Sequence, residues 1–220
     1  MKHSSTRAIY RYWNERRGTR AAPERGDIDP GDIRHQLGDT FMLASDFVDV
    51  LRFRLAGTRV CALFNRELKG EGFAGLWDEG SAKTIDDLMH AVCREQASAV
   101  AGLTGHTADG ASVELEMLLL PLAHGGHARI RALGVLAPTV PFYWLGEKPV
   151  VQLSLRGLRH LGGGLDELDT PRFAVAPAQA PELAPEHGPG DEPMPDGSRR
   201  RHGFVVYSGG REDPSGDRTG

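Results

Sequence analysis

The sequence predicts an α+β fold in which an antiparallel sheet carries helices on one face and is preceded by an N-terminal helix. Three observations lead to this class. Strand-like runs form hairpins near both ends of the first 160 residues, one long amphipathic helix lies between them, and an apolar helical stripe stands near the N-terminus. Sequential hairpins with helices only in the middle are typical of a layered antiparallel sheet.

The N-terminal segment predicts a helix over residues 5–17, because its bulky side chains recur at three- and four-residue spacing. The members of this stripe are Ile9, Tyr12, Trp13 and the stem of Arg16. Such a stripe must dock on another surface, either the sheet of the same chain or, as the alternative, a second copy. We expect residues 1–38 to form a helical extension, with a second, short helix capped by Asp29 and begun by Pro30.

Residues 40–57 predict two strands joined by a turn near Ser45 and Asp46. The second strand has one apolar face, because its apolar residues alternate with arginines. These apolar residues are Leu51, Phe53 and Leu55. A glycine-rich run then prevents a long helix until Ser81, which can cap a helix over residues 81–100. The predicted buried face of this helix consists of Ile85, Leu88, Met89, Val92, Ala99 and Val100.

Three further strand-like runs follow the long helix. Asp109-Gly110 is a tight hairpin signal between the first two runs, and the glycine-rich segment 124–127 predicts the turn before the third. A last extended piece, PVVQLSLRGL, closes this part of the chain. We therefore expect residues 39–160 to form one domain built on the sheet.

Composition predicts a disordered, acidic tail over residues 165–220, because this segment holds eight of the fourteen prolines and eight glycines. Its eleven acidic residues and six arginines give a formal charge of −5, which leaves +1 for the first 164 residues. Without a basic excess we expect no nucleic-acid binding. One stretch of the tail, RRRHGFVVYSGGRE (residues 198–211), places apolar FVVY after three arginines and is a candidate docking motif.

The remaining composition predicts a soluble, cytoplasmic protein. No window approaches the roughly 18 apolar residues of a membrane-spanning helix, and the N-terminus has no uninterrupted apolar region typical of a signal peptide. We expect no membrane insertion. The two cysteines have neither a disulfide framework nor metal-type spacing, which favours reduced thiols.

Several stretches of the chain are distinctive in combination: YRYWNERRGTRAAPERGDIDP, RFRLAGTRVCALFNRELKGEGFAGLW, VELEMLLLPLAHGG, and the closing LGVLAP and FYWLG. Together they resemble an alphaproteobacterial family of small stand-alone PAS proteins, long catalogued as a domain of unknown function. The resemblance covers approximately residues 5–160 and implies a PAS fold. It also implies a regulatory protein that senses ligands or binds partners, rather than an enzyme.

In a PAS domain, the segment after the second strand wraps over the sheet and shapes a small apolar chamber or a filled core. The resemblance therefore implies that residues 52–77 form a wall and not a catalytic site. The residues expected to line or fill this space are Phe53, Leu55, Phe64, Leu68, Phe73, Leu76, Trp77, Leu88 and Val92, with Leu115 among the alternating residues of 113–119.

Two residues of the long helix are candidate cofactor ligands. Haem-binding PAS domains take their axial histidine from this helix, but helical geometry turns His90 away from the apolar face and towards water. Cys93 is expected to be a half-buried thiol, and Val92 precedes it where light-sensing flavin PAS domains have asparagine. We expect no cofactor.

The strands offer two further pairs of polar residues. His124 and His127 form an H-x-x-H pair in a turn without further metal ligands nearby, so we expect no metal site. Glu114 and Glu116 share one face of a strand, which we predict to be the solvated one. The sequence has no G-x-S-x-G, Walker or G-x-G-x-x-G motif, and catalysis is therefore unsupported.

These observations favour a non-enzymatic, cytoplasmic sensory or regulatory module in bacterial signalling. We expect it to act by contact with a regulatory protein partner, as a homodimer through the N-terminal helix, since residues 165–220 cannot form an output domain. The alternative is a small-molecule sensor that binds haem, a lipid or a metabolite in the chamber. An enzyme using the same pocket would need convergent titratable groups beside Phe53 and Trp77, and the sequence offers none there.

Overall fold

Among the residues that the computed structural model describes, seven strands form one sheet in which every pairing is antiparallel. They are β1 (Thr40–Ser45), β2 (Leu51–Ala56), β3 (Ser98–Thr107), β4 (Ser112–Leu122), β5 (Arg131–Pro138), β6 (Val150–Leu161) and the short β7 (Phe173–Ala174). Their order across the sheet is β2-β1-β5-β4-β3-β6-β7. The predicted α+β class is confirmed.

Helices cover both faces of the sheet. They are α1 (Ser4–Arg17), α2 (Thr58–Phe64) and α3 (Glu79–Arg94), with 3₁₀ turns at Arg25–Asp27, Leu37–Asp39 and Phe73–Leu76. The inner face is the one on which α2, α3 and the turn Phe73–Leu76 pack, and the outer face is the one on which α1 packs. Each face therefore has its own hydrophobic core. None of the described helices is long and apolar enough to cross a membrane.

The structure describes residues 1–45, 50–123, 131–144, 146–161, 173–174, 198–201 and 204–207. The chain divides into two units, Met1–Pro177 and Ala178–Gly220. In the second unit, β8 (Ser198–Arg201) pairs with β9 (Phe204–Tyr207), so the FVVY run forms one strand of a hairpin. Most of the tail, the predicted turn near Asp46 and the segment 124–127 lie outside the described residues, and the predicted domain limits stay predictions.

Helix α1 docks on the outer face of its own sheet. Its buried apolar side chains are Ile9, Tyr10 and Trp13, and the Trp13 indole nitrogen donates to the Pro121 carbonyl oxygen at 2.8 Å. The buried face of α1 is therefore rotated relative to the predicted stripe, because Arg16 is exposed and Tyr12 is only half-buried. Homodimerisation through α1 stays a prediction, and the buried stripe leaves only the solvent side of the helix for it.

The predicted second helix after Asp29 does not form. Residues 30–36 instead make successive turns before the 3₁₀ turn Leu37–Asp39. The Asp29 carboxylate accepts the Gly31 backbone N–H at 2.7 Å, so this residue stabilises a turn and not a helix start. Asp and Pro are equally suited to turns, and this local signal alone could not separate the two structures.

Helix α3 is shifted relative to its predicted bounds. Asp78, and not Ser81, is its N-cap and accepts the Ser81 backbone N–H at 2.7 Å. The helix ends before Gln96, whose φ of 56° is incompatible with a continuing right-handed helix. Ala99 and Val100, predicted on the helix, belong to β3.

Candidate functional site

Four aromatic rings pack together on the inner face. Phe41 lies 5.6 Å from Phe53 and 6.1 Å from Phe73, and Phe53 lies 5.8 Å from Phe73, measured between ring centroids. Trp77 meets Phe73 edge to face at 5.6 Å. Such pairs contribute about 0.5–1.5 kcal/mol each beyond the burial of their area. We call these four residues the aromatic cluster.

The inner core contains most of the residues predicted to line or fill the chamber. Those buried in it are Phe53, Phe64, Leu68, Phe73, Leu76, Trp77, Leu88, Val92 and Leu115. They come from β2, α2, the segment before α3, α3 itself and β4. The sequence did not single out Phe41, whose side chain lies in the same cluster. Its position on a strand of mostly apolar residues gave no signal for the face it would occupy.

Leu55 was wrongly placed in this core, since its side chain is 47% exposed. Leu43 pairs with Phe53 but Met42 pairs with Leu55, so one extra residue, Arg54, interrupts the register between β1 and β2. A bulge of this kind reverses the alternation of side chains beyond it. Leu55 therefore shares the outer face with Met42, although Phe53 points inward.

Residues 70–78 cross the inner face from one side of the sheet to the other, and we call them the crossing segment. At the β2 edge, Gly70 N–H donates to the Phe53 carbonyl at 2.8 Å, and Phe53 N–H donates to the Glu71 carbonyl at 3.0 Å. At the far side, Asp78 N–H donates to the Leu153 carbonyl of β6 at 2.9 Å. These bonds satisfy backbone groups of β2 and β6, and they hold the aromatic cluster against the inner face of the sheet.

The end of the crossing segment is fixed by a polar junction. The Ser154 hydroxyl donates to the Asp78 carboxylate at 2.5 Å, and the His106 ring nitrogen Nε2 lies 3.0 Å from the same hydroxyl oxygen. Burial raises the pKa of Asp78, but hydrogen bonds from Ser154 and Ser81 outweigh it, and the net shift is downward. These three side chains thereby connect β3 and β6 to the N-cap of α3.

Trp77 carries a buried donor without an acceptor. Its side chain is 7% exposed, and among the described residues no hydrogen-bond partner meets its indole nitrogen Nε1. An indole nitrogen can only donate, and a buried polar group left unpaired costs about 1–3 kcal/mol. An unpaired group of this kind in a native core calls for an explanation.

The two candidate ligands on the long helix, His90 and Cys93, have ordinary surroundings. His90 is 67% exposed and its ring nitrogen Nδ1 lies 3.5 Å from the Glu95 carboxylate, so it faces solvent and not the inner core. Cys93 is half-buried, and burial raises the pKa of its thiol to about 11. His124 and His127 lie outside the described residues.

The prediction of a solvated Glu114–Glu116 face was wrong for Glu116. The residue is 6% exposed, and its carboxylate accepts the backbone N–H groups of Lys2 at 2.6 Å and His3 at 2.9 Å. Helix α1 covers this part of the outer face, which the strand pattern alone could not indicate. Glu114, beyond the helix, remains exposed and pairs with Arg156 at 2.8 Å.

A second buried carboxylate holds the start of α1. Asp39 accepts the Ser5 hydroxyl at 2.6 Å and two guanidinium N–H groups of Arg59 at 2.5 and 2.8 Å. Burial raises the pKa of Asp39, but the hydrogen bonds from Arg59 and Ser5 outweigh it, so that the pKa lies below its ordinary value. Asp39 and Glu116 together fix the N-terminal helix to the outer face.

One aromatic side chain points away from the core. Tyr143 is 91% exposed, although its neighbour Trp144 is buried and its ring lies tilted against that of Phe142 at a centroid distance of 4.5 Å. Val140, in the same loop, is 57% exposed. The loop joins β5 to β6, and we call Val140 and Tyr143 the exposed loop pair.

The sheet order and the crossing segment define a small α+β domain whose inner face is closed by aromatic side chains. A family model described as PAS domain matches residues 1–137, and the chain belongs to the PAS domain family. This match confirms the predicted PAS resemblance. PAS domains are generally sensory modules and not catalysts. The alphaproteobacterial origin stays a prediction.

Solved structures with the same kind of domain are similar to the chain at low identity. A PAS domain of a Colwellia psychrerythraea protein has 15% identity and a TM-score of 0.37, and the match covers 50% of this chain and 97% of that one. An RNA-binding light-oxygen-voltage receptor has 14% identity and a TM-score of 0.38, over 50% of this chain and 33% of that one. No curated protein matches the chain.

Proposed function

We propose that the chain is a non-enzymatic, cytoplasmic sensory module that passes its signal to a regulatory protein by direct contact. The PAS family supplies the sensory class. The observation that carries the contact function is the exposed loop pair, Val140 and Tyr143, which presents an aromatic ring to solvent from a fixed loop. Both cysteines are unpaired thiols, which is consistent with a reducing compartment.

The loop around Tyr143 is braced from within. The backbone N–H groups of Glu147 and Lys148 donate to the Trp144 carbonyl at 3.0 and 3.2 Å. The Lys148 ammonium group donates to the Asp109 carboxylate of the β3–β4 turn at 2.6 Å. That bond is the main reason why the pKa of Asp109 falls to about 2. The two loops are thereby joined close to Tyr143.

A fixed, exposed tyrosine is well suited to anchor a protein contact. Tyrosine supplies a large contact area with few rotatable bonds, and it is enriched among the residues that dominate binding energy. Ordering a loop on binding costs affinity, and a loop that is already ordered avoids this cost. The partner we propose presents an apolar pocket that admits the ring, with a polar group near its rim for the phenol hydroxyl.

Site-specific photo-crosslinking tests this function. Benzoylphenylalanine replaces Tyr143 in one variant and Val151 of β6, which is 48% exposed, in a matched control. We expect one regulatory protein to crosslink from position 143 and not from position 151. We also expect an excess of the natural chain to reduce this crosslinking, because it competes for the same partner. Equal crosslinking from both positions would show that Tyr143 is an ordinary exposed residue.

A second candidate function is small-molecule sensing, and one observation favours it. The buried, unpaired indole N–H of Trp77 lies in the aromatic cluster of the inner face, where a bound molecule could supply the missing acceptor. The exposure of His90 removes the histidine that motivated a haem version of this candidate. A ligand of this kind would be the input and the exposed loop pair the output of the same module.

A further inference from the structure

Trp77 makes backbone contacts and one ring contact with its neighbours. Its backbone N–H donates to the Ala74 carbonyl at 3.3 Å, and its backbone forms a β-bridge with Leu153 of β6. The next residue, Asp78, is bonded to the same strand. On the other side the ring meets Phe73 edge to face at 5.6 Å. The backbone of Trp77 is therefore tied to its neighbours, and its ring packs against Phe73 in the inner core.

The surroundings of the indole restrict what can meet it. The hydrophobic cluster that contains the indole is built from aliphatic and aromatic side chains with two methionines, and the carboxylate of the next residue, Asp78, is already bonded to Ser154 and Ser81. An unpaired charge is strongly disfavoured in such an environment, because it loses its hydration without gaining a partner. A molecule bound there must be neutral and mostly apolar. It must also carry one acceptor to satisfy the donor.

We propose that Trp77 is the specificity-determining donor of a ligand site, and that its indole N–H donates to a carbonyl-type oxygen of a neutral, mainly apolar molecule packed against the aromatic cluster. This inference deepens the sensing candidate by naming the ligand class, and rests on the proposed function only for its role as input. Ketones, esters and lactones have the required chemistry. Alkanes and charged carboxylates lack it.

A matched pair of probes tests the donor directly. Acetophenone carries a ketone oxygen, and α-methylstyrene has nearly the same shape with a methylene group in its place. The full-length chain is labelled with nitrogen-15, and its three tryptophans give three indole N–H signals. The signal lost in Trp77→Phe identifies Trp77. We expect acetophenone to move this signal downfield and to bind about tenfold more tightly than α-methylstyrene, the effect of one buried hydrogen bond.

The variant supplies the second comparison. In Trp77→Phe, we expect acetophenone to lose about tenfold in affinity and α-methylstyrene to bind as before, because only the ketone loses a hydrogen bond. If Trp77→Phe fails to fold, the relative affinity of the two probes for the natural chain still decides the question. Equal affinity of the two probes, or a Trp77 signal that does not move at the highest soluble acetophenone concentration, overturns the proposal.

The outcome is separable from that of the proposed contact function. The crosslinking and affinity experiments at Tyr143 use no probe, and the probe experiments use no partner. A chain that binds the ketone but has no Tyr143-dependent partner would keep the ligand site and lose the proposed output. The reverse result would keep the contact function and remove Trp77 as its input.

Discussion

Gly134 of β5 provides the sharpest test of the aromatic cluster. A Cβ atom added at this position would lie 2.1 Å from Cζ of the Phe41 ring, which packs directly over the glycine. Phe41 is 1% exposed and is itself held by Phe53 and Phe73. The substitution Gly134→Ala must therefore move a ring that has little room to move.

The cost follows from the size of this overlap. Carbon atoms pack at about 3.5–4.0 Å, so the ring must shift by about 1.5 Å. Overpacking a core costs about 1–3 kcal/mol, and each disturbed ring pair loses part of its contribution of about 0.5–1.5 kcal/mol. Alanine restricts the unfolded chain and offsets about 0.4–1 kcal/mol. We expect Gly134→Ala to lower the free energy of unfolding by about 2–3 kcal/mol, which lowers Tm by about 5–10 °C.

Urea and thermal unfolding, followed by circular dichroism, measure both quantities. Gly102→Ala in β3 is the matched control, because a Cβ atom at Gly102 meets no heavy atom within 4 Å. We expect this control to be unchanged or more stable by up to about 1 kcal/mol. If Gly134→Ala is as stable as Gly102→Ala, Phe41 does not lie over β5 and the described cluster is incorrect.

Three further predictions concern buried polar groups. Thr6→Val should raise the free energy of unfolding by about 1 kcal/mol in urea unfolding, because the Thr6 hydroxyl is buried without a partner among the described residues; a destabilised variant would reveal a partner. The pKa of Asp39 is lowered in the folded chain, so its contribution to stability is present above its unfolded pKa of about 3.9 and is lost as pH falls through the folded value. Stability curves of Asp39→Asn should lack this component, and curves that coincide at all pH values would contradict the Arg59 contact. Burial raises the pKa of both thiols, so at pH 8 iodoacetamide should modify Cys61 and Cys93 more slowly than free cysteine, and Cys93 more slowly than Cys61, as followed by mass spectrometry; faster modification of Cys93 would contradict its burial.

Local sequence patterns predicted the element order well. Alternation and helical spacing placed two strands, a long helix and three strands in the observed order, and Asp109-Gly110 forms the expected hairpin turn, with Gly110 at a φ of 86°. These features depend on residues close together in sequence, which periodicity and turn chemistry report directly. The segment after β2 crosses the sheet as the PAS resemblance implied.

The features that were missed depend on contacts between distant residues. The bulge at Arg54 arises where β2 pairs with β1, and no pattern within β2 alone reveals it. The burial of Glu116 depends on α1, which precedes it by about 100 residues. The alternation of apolar and polar residues along a strand indicates which residues share a face, but it does not indicate which face another element will cover. The unpaired Trp77 nitrogen is likewise visible only when all of its neighbours are known.

The affinity of the chain for the protein that crosslinks at position 143 tests the contact function most directly. A titration by calorimetry compares the natural chain with Tyr143→Ala and Tyr143→Phe. We expect Tyr143→Ala to raise Kd by about thirtyfold or more, as loss of a dominant anchor does, and Tyr143→Phe to retain most of the affinity. Equal Kd values for Tyr143→Ala and the natural chain would contradict the proposal that the module signals through this loop.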